Sequence, residues 1–328
     1  MSKKRDVSFK YYYGIPHAHT AFSTGRGTPL EAYEHAKKNN LNFLAITDHN
    51  SYLSKTLYVK DRNISKWNTS QVMCEKFKKK SDSLIPLLGF ETKSSPYGDL
   101  NIINSNTFFT GTVNNINLLI IWMMNNPNAF ITINHPHKGI TLLNYNEILN
   151  KVITSIEVGN GSFPNKYIRH DKYYYTLLDK GWKLGAINGQ DNHRMNFGDS
   201  ENLTAIIAPS LSQNNIIDAF RRRRTYSTES RTLKLNFKIN NIYMGAVLPS
   251  DSSKLNFSIF AEDPIVKINE IHIVTNKGNI VKKISDIHLN YIKYLYSHER
   301  AENETWYIIK IFQDNHRIAI SSPIFIEN

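Results

Sequence analysis

Residues 11–20 read YYYGIPHAHT, an aromatic and apolar run that leads directly into two histidines. Residues 43–49 read FLAITDH, so a second apolar run ends in a similar polar group. Short apolar runs bounded by polar residues are typical of buried parallel strands. The carboxyl ends of such strands meet at one face of an α/β barrel, where side chains distant in sequence share a pocket. The two stretches therefore predict an α/β fold with reactive side chains at one end of its strands.

The same arrangement recurs four more times in the first two-thirds of the chain. The apolar runs cover residues 85–90, 130–133, 153–156 and 184–187. They lead to Glu91, to His135 and His137, to Glu157, and to Asp191 and His193. Each of these runs is short enough to be a buried strand, and each leads to a residue that can bind a metal ion.

One helix is predicted between the first two strands. Thr28 can cap its first turn, Glu31 completes a capping box with Thr28, and Pro29 suits the first helical position. We expect this helix to end near Asn39, just before the second strand.

The periodicity changes near residue 232. Apolar and polar residues then alternate, with the apolar positions at Leu233, Leu235, Phe237, Ile239, Leu255, Phe257 and Ile259. Asn276-Lys277-Gly278 is a hairpin-turn signal between two later runs. Several short runs of period two predict an antiparallel β-sandwich. The sequence therefore predicts two domains, residues 1–232 and residues 233–328.

The spacing of histidines and carboxylates indicates a metal site. His17 and His19 are two positions apart, so on an extended strand their side chains point to the same side. A single His-x-His pattern is weak on its own. Further candidate ligands follow the other predicted strands, namely Asp48, His49, Glu91, His135, Asp191 and His193. Nitrogen and oxygen donors that converge on one point are what a divalent cation requires.

The successive motifs resemble those of the PHP superfamily (polymerase and histidinol phosphatase). They are residues 17–20 (HAHT), 47–50 (TDHN), 89–91 (GFE), 135–136 (HP) and 191–193 (DNH), and the resemblance covers about residues 10–200. Residues 219–227, which contain Arg224-Thr225-Tyr226, and residues 322–325 are similar to the CehA/McbA-like branch, which includes carbaryl hydrolases.

The resemblance implies a distorted seven-stranded (β/α)7 PHP barrel with two or three divalent ions, which would be Zn, Mn or Fe. It implies one ion held by His17, His19, Glu91 and Asp191, a second bridged by Glu91 and held by His135, and a third held by His49 and His193. It gives Asp48 the role of orienting the ligands. Asp48, Asp191 and His193 are the predicted catalytic residues.

Two departures from the family pattern bear on the metal site. Many members have an aspartate after the serine of the first motif, whereas Ser23 is followed here by Thr24. The missing carboxylate favours two ions over three. The branch often has a histidine in the segment 98–101, where this chain has Asp99, which is either a hard metal ligand or a solvated loop residue.

Four further residues are predicted to bind substrate. His137 is a ligand, a proton donor or a residue of the pocket rim, and Glu157 is a pocket hydrogen-bonder in preference to a ligand. Arg194 either grips an anionic group or forms a surface ion pair. Arg224 closes the run Arg221–Arg224, which either binds substrate phosphate, docks the tail or ends a solvated helix.

Three functions are compatible with these residues. The first is a phosphoesterase that uses a metal-bridging hydroxide on a small phosphorylated substrate. The second is a hydrolase of a carboxylic ester, amide or carbamate with the same metal site. The third is a degenerate PHP protein that binds a carbohydrate or another protein. Arginines in the pocket would favour the first function, and an aromatic wall would favour the second.

The bulk composition constrains the partners and the compartment. The 328 residues carry a net charge of +12, with Lys+Arg 40 against Asp+Glu 28. No stacking or groove-binding motif accompanies the charge, so we expect a small anionic substrate and no nucleic acid. Cys74 is the single cysteine, and no apolar stretch approaches a membrane span, so we expect a cytoplasmic protein without a membrane partner. Oligomeric state has no signal in the sequence.

Overall fold

A computed structural model of the chain describes residues 8–59, 61–162, 164–251 and 253–327. The α-helices are α1 (Pro29–Lys38), α2 (Asn50–Leu53), α3 (Lys66–Lys78), α4 (Ile116–Met124), α5 (Glu147–Val152), α6 (Asp171–Asp179) and α7 (Gln213–Arg221), with 3-10 turns at Lys138–Leu142 and Asn276–Gly278. Within the described residues, none of the helices has both the length and the apolar character needed to cross a membrane.

The strands of the first part are β1 (Lys10–Ile15), β2 (Phe43–Ile46), β3 (Thr56–Val59), β4 (Arg62–Ser65), β5 (Ile85–Ser94), β6 (Gly98–Ile103), β7 (Phe130–Ile133), β8 (Ile153–Asn160), β9 (Ile168–Arg169), β10 (Gly185–Gly189), β11 (Leu203–Ala208) and β12 (Thr225–Thr228). Those of the tail are β13 (Lys234–Ile239), β14 (Ile242–Tyr243), β15 (Val247–Leu248), β16 (Lys254–Glu262), β17 (Ile268–Thr275), β18 (Asn279–Ile284), β19 (Tyr291–Glu299), β20 (Trp306–Gln313), β21 (Ile318–Ser321) and β22 (Ile324–Ile326).

The first part is built on strands in the order β10-β8-β7-β6-β5-β2-β1-β11-β12, so the protein is of mixed α/β class. The pairs β1–β2, β2–β5, β7–β8 and β8–β10 are parallel. The pairs β5–β6, β6–β7 and β1–β11 are antiparallel. The sheet is thus only partly parallel, because the short connection from β5 to β6 can join antiparallel strands but not parallel ones.

The predicted first helix is confirmed in detail. Thr28 accepts a hydrogen bond from the Glu31 backbone, the Glu31 side chain bonds back to the Thr28 backbone, and Pro29 is the first residue. The helix ends at Lys38 with Asn39 as its C-cap. It leads the chain into β2, whose carboxyl end carries Asp48 and His49.

The tail packs two sheets around one apolar core. The four-stranded sheet β14-β13-β16-β19 faces strands of the large sheet, and they share a cluster that includes Phe237, Phe257, Ile273 and Ile309. The alternation predicted from the sequence is seen in β13 and β16, whose side chains are buried at every second position. Strand β21 pairs with β12, so the large sheet is continuous between the two parts of the chain. The domain boundary at residue 232 stays a prediction.

Candidate metal centre

The candidate ligands gather at the carboxyl ends of β1, β2, β7 and β10. His17 and His19 follow β1, His49 follows β2, and His135 follows β7. Asp191 and His193 follow β10. Isolated bridges between Ala18 and Asn192, and between His49 and Glu91, tie the loops together. Glu91 differs from the expectation because β5 continues past it to Ser94, where the strand pairs with β6.

The first group of donor atoms comes from His17, His19 and Asp191. The Nε2 atoms of the two histidines are 3.1 Å apart, and they lie 3.3 Å and 3.2 Å from Oδ1 of Asp191. Donor atoms around a tetrahedral ion with bonds of about 2.05 Å are roughly 3.3 Å from one another. The three atoms therefore have the spacing of ligands that share one cation.

Glu91 lies at the centre of the cluster and contacts four histidines. Its Oε1 is 3.2 Å from Nε2 of His17 and 3.3 Å from Nε2 of His135. Its Oε2 is 3.3 Å from Nε2 of His19 and 3.0 Å from Nδ1 of His49. The carboxylate is buried, and Asn134 donates to its Oε1 at 2.8 Å. Both oxygens of this one carboxylate therefore lie among the candidate ligand atoms.

The described residues contain three groups of possible metal ligands that share members. They are His17, His19 and Asp191; His17, Glu91 and His135; and His19, His49 and His193. The rings of His49 and His193 lie 4.6 Å and 4.5 Å from the ring of His19. His17, His19 and Glu91 form a buried floor, whereas the side chains of His49, His135 and His193 are 28–33% exposed. Solvent and substrate can therefore reach the cluster from the rim.

The hydrogen bond between His17 and Glu157 indicates which nitrogen of His17 is available to bind a cation. Nδ1 of His17 is 2.8 Å from Oε1 of the buried Glu157, so a proton belongs on Nδ1. In the neutral ring, Nε2 of His17 then presents a lone pair to the oxygens of Glu91 and Asp191. Lone pairs and carboxylate oxygens facing one another repel unless a proton or a metal cation lies between them. The donor set therefore fits a divalent metal ion.

His19 is oriented by a second set of contacts. Its Nδ1 is 3.3 Å from the hydroxyl of Ser23, which in turn bonds to Asp48. Asp48 is buried and also accepts hydrogen bonds from Thr20, at 2.8 Å from its backbone nitrogen and 2.6 Å from its hydroxyl. Asp48 thus lies behind the ligands, where it holds the loop that carries His19 in place.

The pKa values of the cluster show that its buried carboxylates are stabilised by positively charged neighbours. Burial lowers the pKa of His19, but the carboxylates of Asp191 and Glu91 outweigh it and raise the pKa to about 9. Burial raises the pKa of Asp191, but His17 and His19 hold it well below its usual range. Burial also raises the pKa of Glu91, but the surrounding histidines lower it by more. The pKa of Glu91 is therefore well below its usual value. Buried carboxylates of this kind are stabilised by protonated histidines or by metal ions.

Two of the candidate ligands have unusual backbone conformations. Both His135 and Asp191 have positive φ, at 22° and 50°. The His135 nitrogen donates to Oε2 of Glu157 at 2.6 Å, and the Asp191 nitrogen donates to the His17 carbonyl at 3.1 Å. Such conformations cost on the order of 1–3 kcal/mol and concentrate at functional sites. The surrounding structure therefore holds both side chains towards the cluster, although their backbone conformations cost conformational free energy.

A cavity of about 420 Å³ opens beside His193. Its described lining consists of Arg26, Ser162, Pro164, Asn165, His193, Arg194 and Asn196. Arg26 and Arg194 are exposed, and neither forms an ion pair with any residue in the described ranges. Two guanidinium groups without an ion-pair partner among the described residues therefore line a cavity next to the ligand cluster.

The remaining predicted site residues occupy different positions. Oδ2 of Asp99 on β6 lies 4.0 Å from Nε2 of His135. His137 is exposed and caps a 3-10 turn, where its Nδ1 accepts from the Gly139 nitrogen at 3.0 Å. Both oxygens of Glu157 are engaged by protein groups, as Asn160 also donates to Oε2 at 2.7 Å.

Arg224 is not brought to the cluster. It bonds to Asp218, and its guanidinium lies 5.1 Å from the centre of the Phe9 ring. Thr225, the residue after Arg224, pairs with Ile206 of β11, and Ile206 pairs with Tyr12 near the start of β1. The candidate ligands follow the other end of β1. A role for Arg224 at the metal centre has no contact to support it.

Sequence reasoning missed three residues of the site. Arg26 lies in a glycine-flanked loop without periodicity, Asn134 supports Glu91, and Asn160 supports Glu157. Asn134 directly precedes the His-Pro pair and Asn160 closes the run of Glu157, so adjacency to a ligand motif was the available signal. Arg26 had no comparable signal.

Comparison with known proteins shows the fold. No family model matches the sequence, and no curated protein matches it. A two-domain protein from Bacteroides vulgatus that contains a predicted PHP-like metal-dependent phosphoesterase is similar with a TM-score of 0.56 at 18% identity. The match covers 93% of this chain and 90% of that one. The resemblance to PHP-like proteins is thereby confirmed at the level of the fold. The exact (β/α)7 barrel, the C-terminal β-sandwich and the CehA/McbA-like branch stay predictions.

A second solved structure is more distant. It is a proposed metal-dependent phosphoesterase from Bifidobacterium adolescentis, with a TM-score of 0.38 at 13% identity. The match covers 63% of this chain and 94% of that one. A likeness at this level adds no argument about fold or activity.

Proposed function

We propose that this protein is a metal-dependent phosphoesterase that hydrolyses a small phosphorylated substrate. The observation that carries the proposal is the spacing of the donor atoms around His17 and His19. Their Nε2 atoms lie 3.1 Å from each other and 3.2–3.3 Å from carboxylate oxygens of Glu91 and Asp191. The similar two-domain protein from Bacteroides vulgatus contains a predicted phosphoesterase of the same class. In this proposal the first part is the distorted seven-stranded PHP barrel of the CehA/McbA-like branch, and the tail is its β-sandwich.

The residues divide into those that hold ions and those that orient them. His17, His19 and Asp191 would hold one ion, and Glu91 would bridge it to a second that His135 holds with Asp99 nearby. Divalent ions of the Zn, Mn or Fe kind supply an activated water and neutralise charge that develops on the substrate. Glu157 keeps the proton on Nδ1 of His17, so Nε2 stays available as a ligand atom.

The rim of the site determines how substrate is bound. His49 and His193 line the open side of the cluster, where a third ion would be held if one binds. Arg194 and Arg26 would bind the anionic group of the substrate from the adjoining cavity. A guanidinium group matches phosphate geometry bidentately, and this favours a phosphorylated substrate over a neutral ester. The part of His137 in substrate binding stays a prediction, since its Nδ1 caps a 3-10 turn.

Paired assays test the proposal. The purified protein is loaded with Zn or Mn and assayed with nitrophenyl phosphate and nitrophenyl acetate at the same concentrations. We expect turnover of the phosphate that is lost in His17→Ala and retained in His298→Ala, a control histidine bonded to Glu304 in the tail. Turnover of the acetate alone would replace the proposal with carboxylic-ester hydrolysis. Metal binding without either turnover would favour a binding protein.

A further inference from the structure

A second cavity, of about 310 Å³, lies where the arginine run approaches the tail. It is lined by Phe9, the arginines Arg221–Arg224 and the turn of residues 243–246. The arginines follow one another at the end of α7, and β12 begins directly after them. The cavity is therefore formed by a helix end, the start of β1 and a turn of the tail.

This cavity is remote from the metal centre. Phe9 directly precedes β1, whereas the ligands His17 and His19 follow the end of that strand. A strand rises about 3.3 Å per residue, so the two sites are separated by roughly 20 Å along β1. A ligand in this cavity would not contact the candidate metal ligands.

The cavity carries excess positive charge. Asp218 is the carboxylate that the arginines contact within the described part of the chain, and it is shared by Arg222 and Arg224. Arg221 donates instead to the Pro127 carbonyl at 2.7 Å. Arg223 donates from Nε to the Gly245 carbonyl at 3.0 Å. Four guanidinium groups against one carboxylate leave three positive charges without a partner of opposite sign among these residues.

Arg223 shows that the arrangement is more than a basic helix end. Cations at a helix C-terminus are favourable, but the effect fades within the last turn. Arg223 lies beyond that turn with φ of 54°, a conformation in which glycine is preferred. Its half-buried side chain lies against Phe325, and burial lowers the pKa of its guanidinium. Arg223 therefore combines a strained backbone conformation with a guanidinium charge that no carboxylate in the described residues offsets.

The tail turn is fitted closely against the arginines. Gly245 has φ of 89°, and a Cβ at that position would lie 2.1 Å from the Arg222 carbonyl oxygen and 2.7 Å from that of Arg223. A side chain here would push the turn away from the arginine run. The close approach keeps the Arg223 guanidinium in place beside the cavity.

We propose that this cavity is a binding site for a compact anion that carries two phosphate groups. One phosphate monoester group carries a charge of about −1.5 to −2 at pH 7, so two groups offset about three to four positive charges. Arginine binds phosphate through paired N–H donors, which a diphosphate can accept on both groups. The site is independent of the proposed phosphoesterase activity, because none of its described lining residues is a candidate metal ligand.

Calorimetric titration of the full chain with inorganic pyrophosphate tests this site. Arg223→Gln removes the half-buried charge, and we expect the affinity to fall by about tenfold or more, the loss typical of a charged hydrogen-bond donor. The matched control is Arg62→Gln, which makes the same change at an exposed arginine on β4. A third protein, Arg194→Gln, alters the cavity at the metal centre.

The pattern across the variants decides the outcome. Loss in Arg223→Gln with retention in Arg62→Gln and Arg194→Gln supports the site, whether or not the protein hydrolyses phosphoesters. Absence of binding to the unaltered chain overturns it, and so does a loss confined to Arg194→Gln. If Arg223→Gln does not fold, Arg221→Gln is judged by the same criteria, because the hydrogen bonds of that exposed side chain within the described residues go to the backbone carbonyls of Pro127 and Ala129.

Discussion

Replacement of Glu157 by glutamine changes the metal centre without removing a proposed ligand. Glu157 is fully buried, and its carboxylate accepts from His17 at 2.8 Å, from the His135 nitrogen at 2.6 Å and from Asn160 at 2.7 Å. A glutamine amide has only one oxygen, so one end of the side chain turns from an acceptor into a donor that faces other donors. The proton on Nδ1 of His17 is then no longer held by a carboxylate, and Nε2 becomes a poorer ligand.

The expected loss is a 10- to 100-fold decrease in metal affinity, or about 1.4–2.8 kcal/mol. The assay is competition for Zn or Mn against a chromophoric chelator at constant pH. The matched control is Glu270→Gln in the tail, where Oε2 of Glu270 lies 2.8 Å from Nε2 of His272. Both variants lose a carboxylate–histidine hydrogen bond of the same length. Unchanged affinity in Glu157→Gln would refute the assignment of Glu157 as the residue that orients His17.

Three further predictions follow from the same structure. Replacing Arg26 and Arg194 together by glutamine should raise KM for nitrophenyl phosphate about tenfold or more while kcat changes little; unchanged KM would remove both arginines from the substrate site. Because the folded pKa of His19, about 9, exceeds its unfolded value of 6.5, its stabilising contribution is complete below pH 6.5 and is lost as pH rises towards 9. The melting temperature of metal-free protein should therefore fall between pH 6.5 and pH 9, and that of metal-loaded protein should not. The same pH dependence in the thermal scans of both forms would contradict this. Phe257→Ala should cost about 3–5 kcal/mol in denaturant unfolding, since this side chain is buried between the tail sheets, whereas the exposed Tyr58→Ala should cost little.

Part of the fold was predictable because local signals and tertiary structure agree. The cap at Thr28, the strand runs and the alternation in the tail are local patterns that packing reinforces. The antiparallel insertion of β6 was not predicted, because the sequence of Gly98–Ile103 is too short and too mixed to separate a strand from a loop. It changes the site, since β6 carries Asp99 to within 4.0 Å of His135.

The sequence indicated which residues form the candidate site but not how they are arranged. Strand ends indicated that His17 and Glu91 lie close together, since such ends converge. That Glu91 contacts four histidines depends on its position within β5, beyond the end of the apolar run. The position of Arg224 was also beyond prediction, because its sequence does not say at which end of the sheet the helix before β12 finishes. Register and direction of strands decide such questions, and both are set by long-range packing.

Elemental analysis of the purified, unchelated protein shows whether the histidine and carboxylate cluster binds metal ions. Metal per chain is counted for the native sequence, for His17→Ala/His19→Ala and for the tail control His298→Ala. We expect two or more divalent ions per native chain, a clear loss in the double variant and no loss in the control. A native chain that holds no metal even after incubation with Zn or Mn would contradict the metal centre and the phosphoesterase proposal with it.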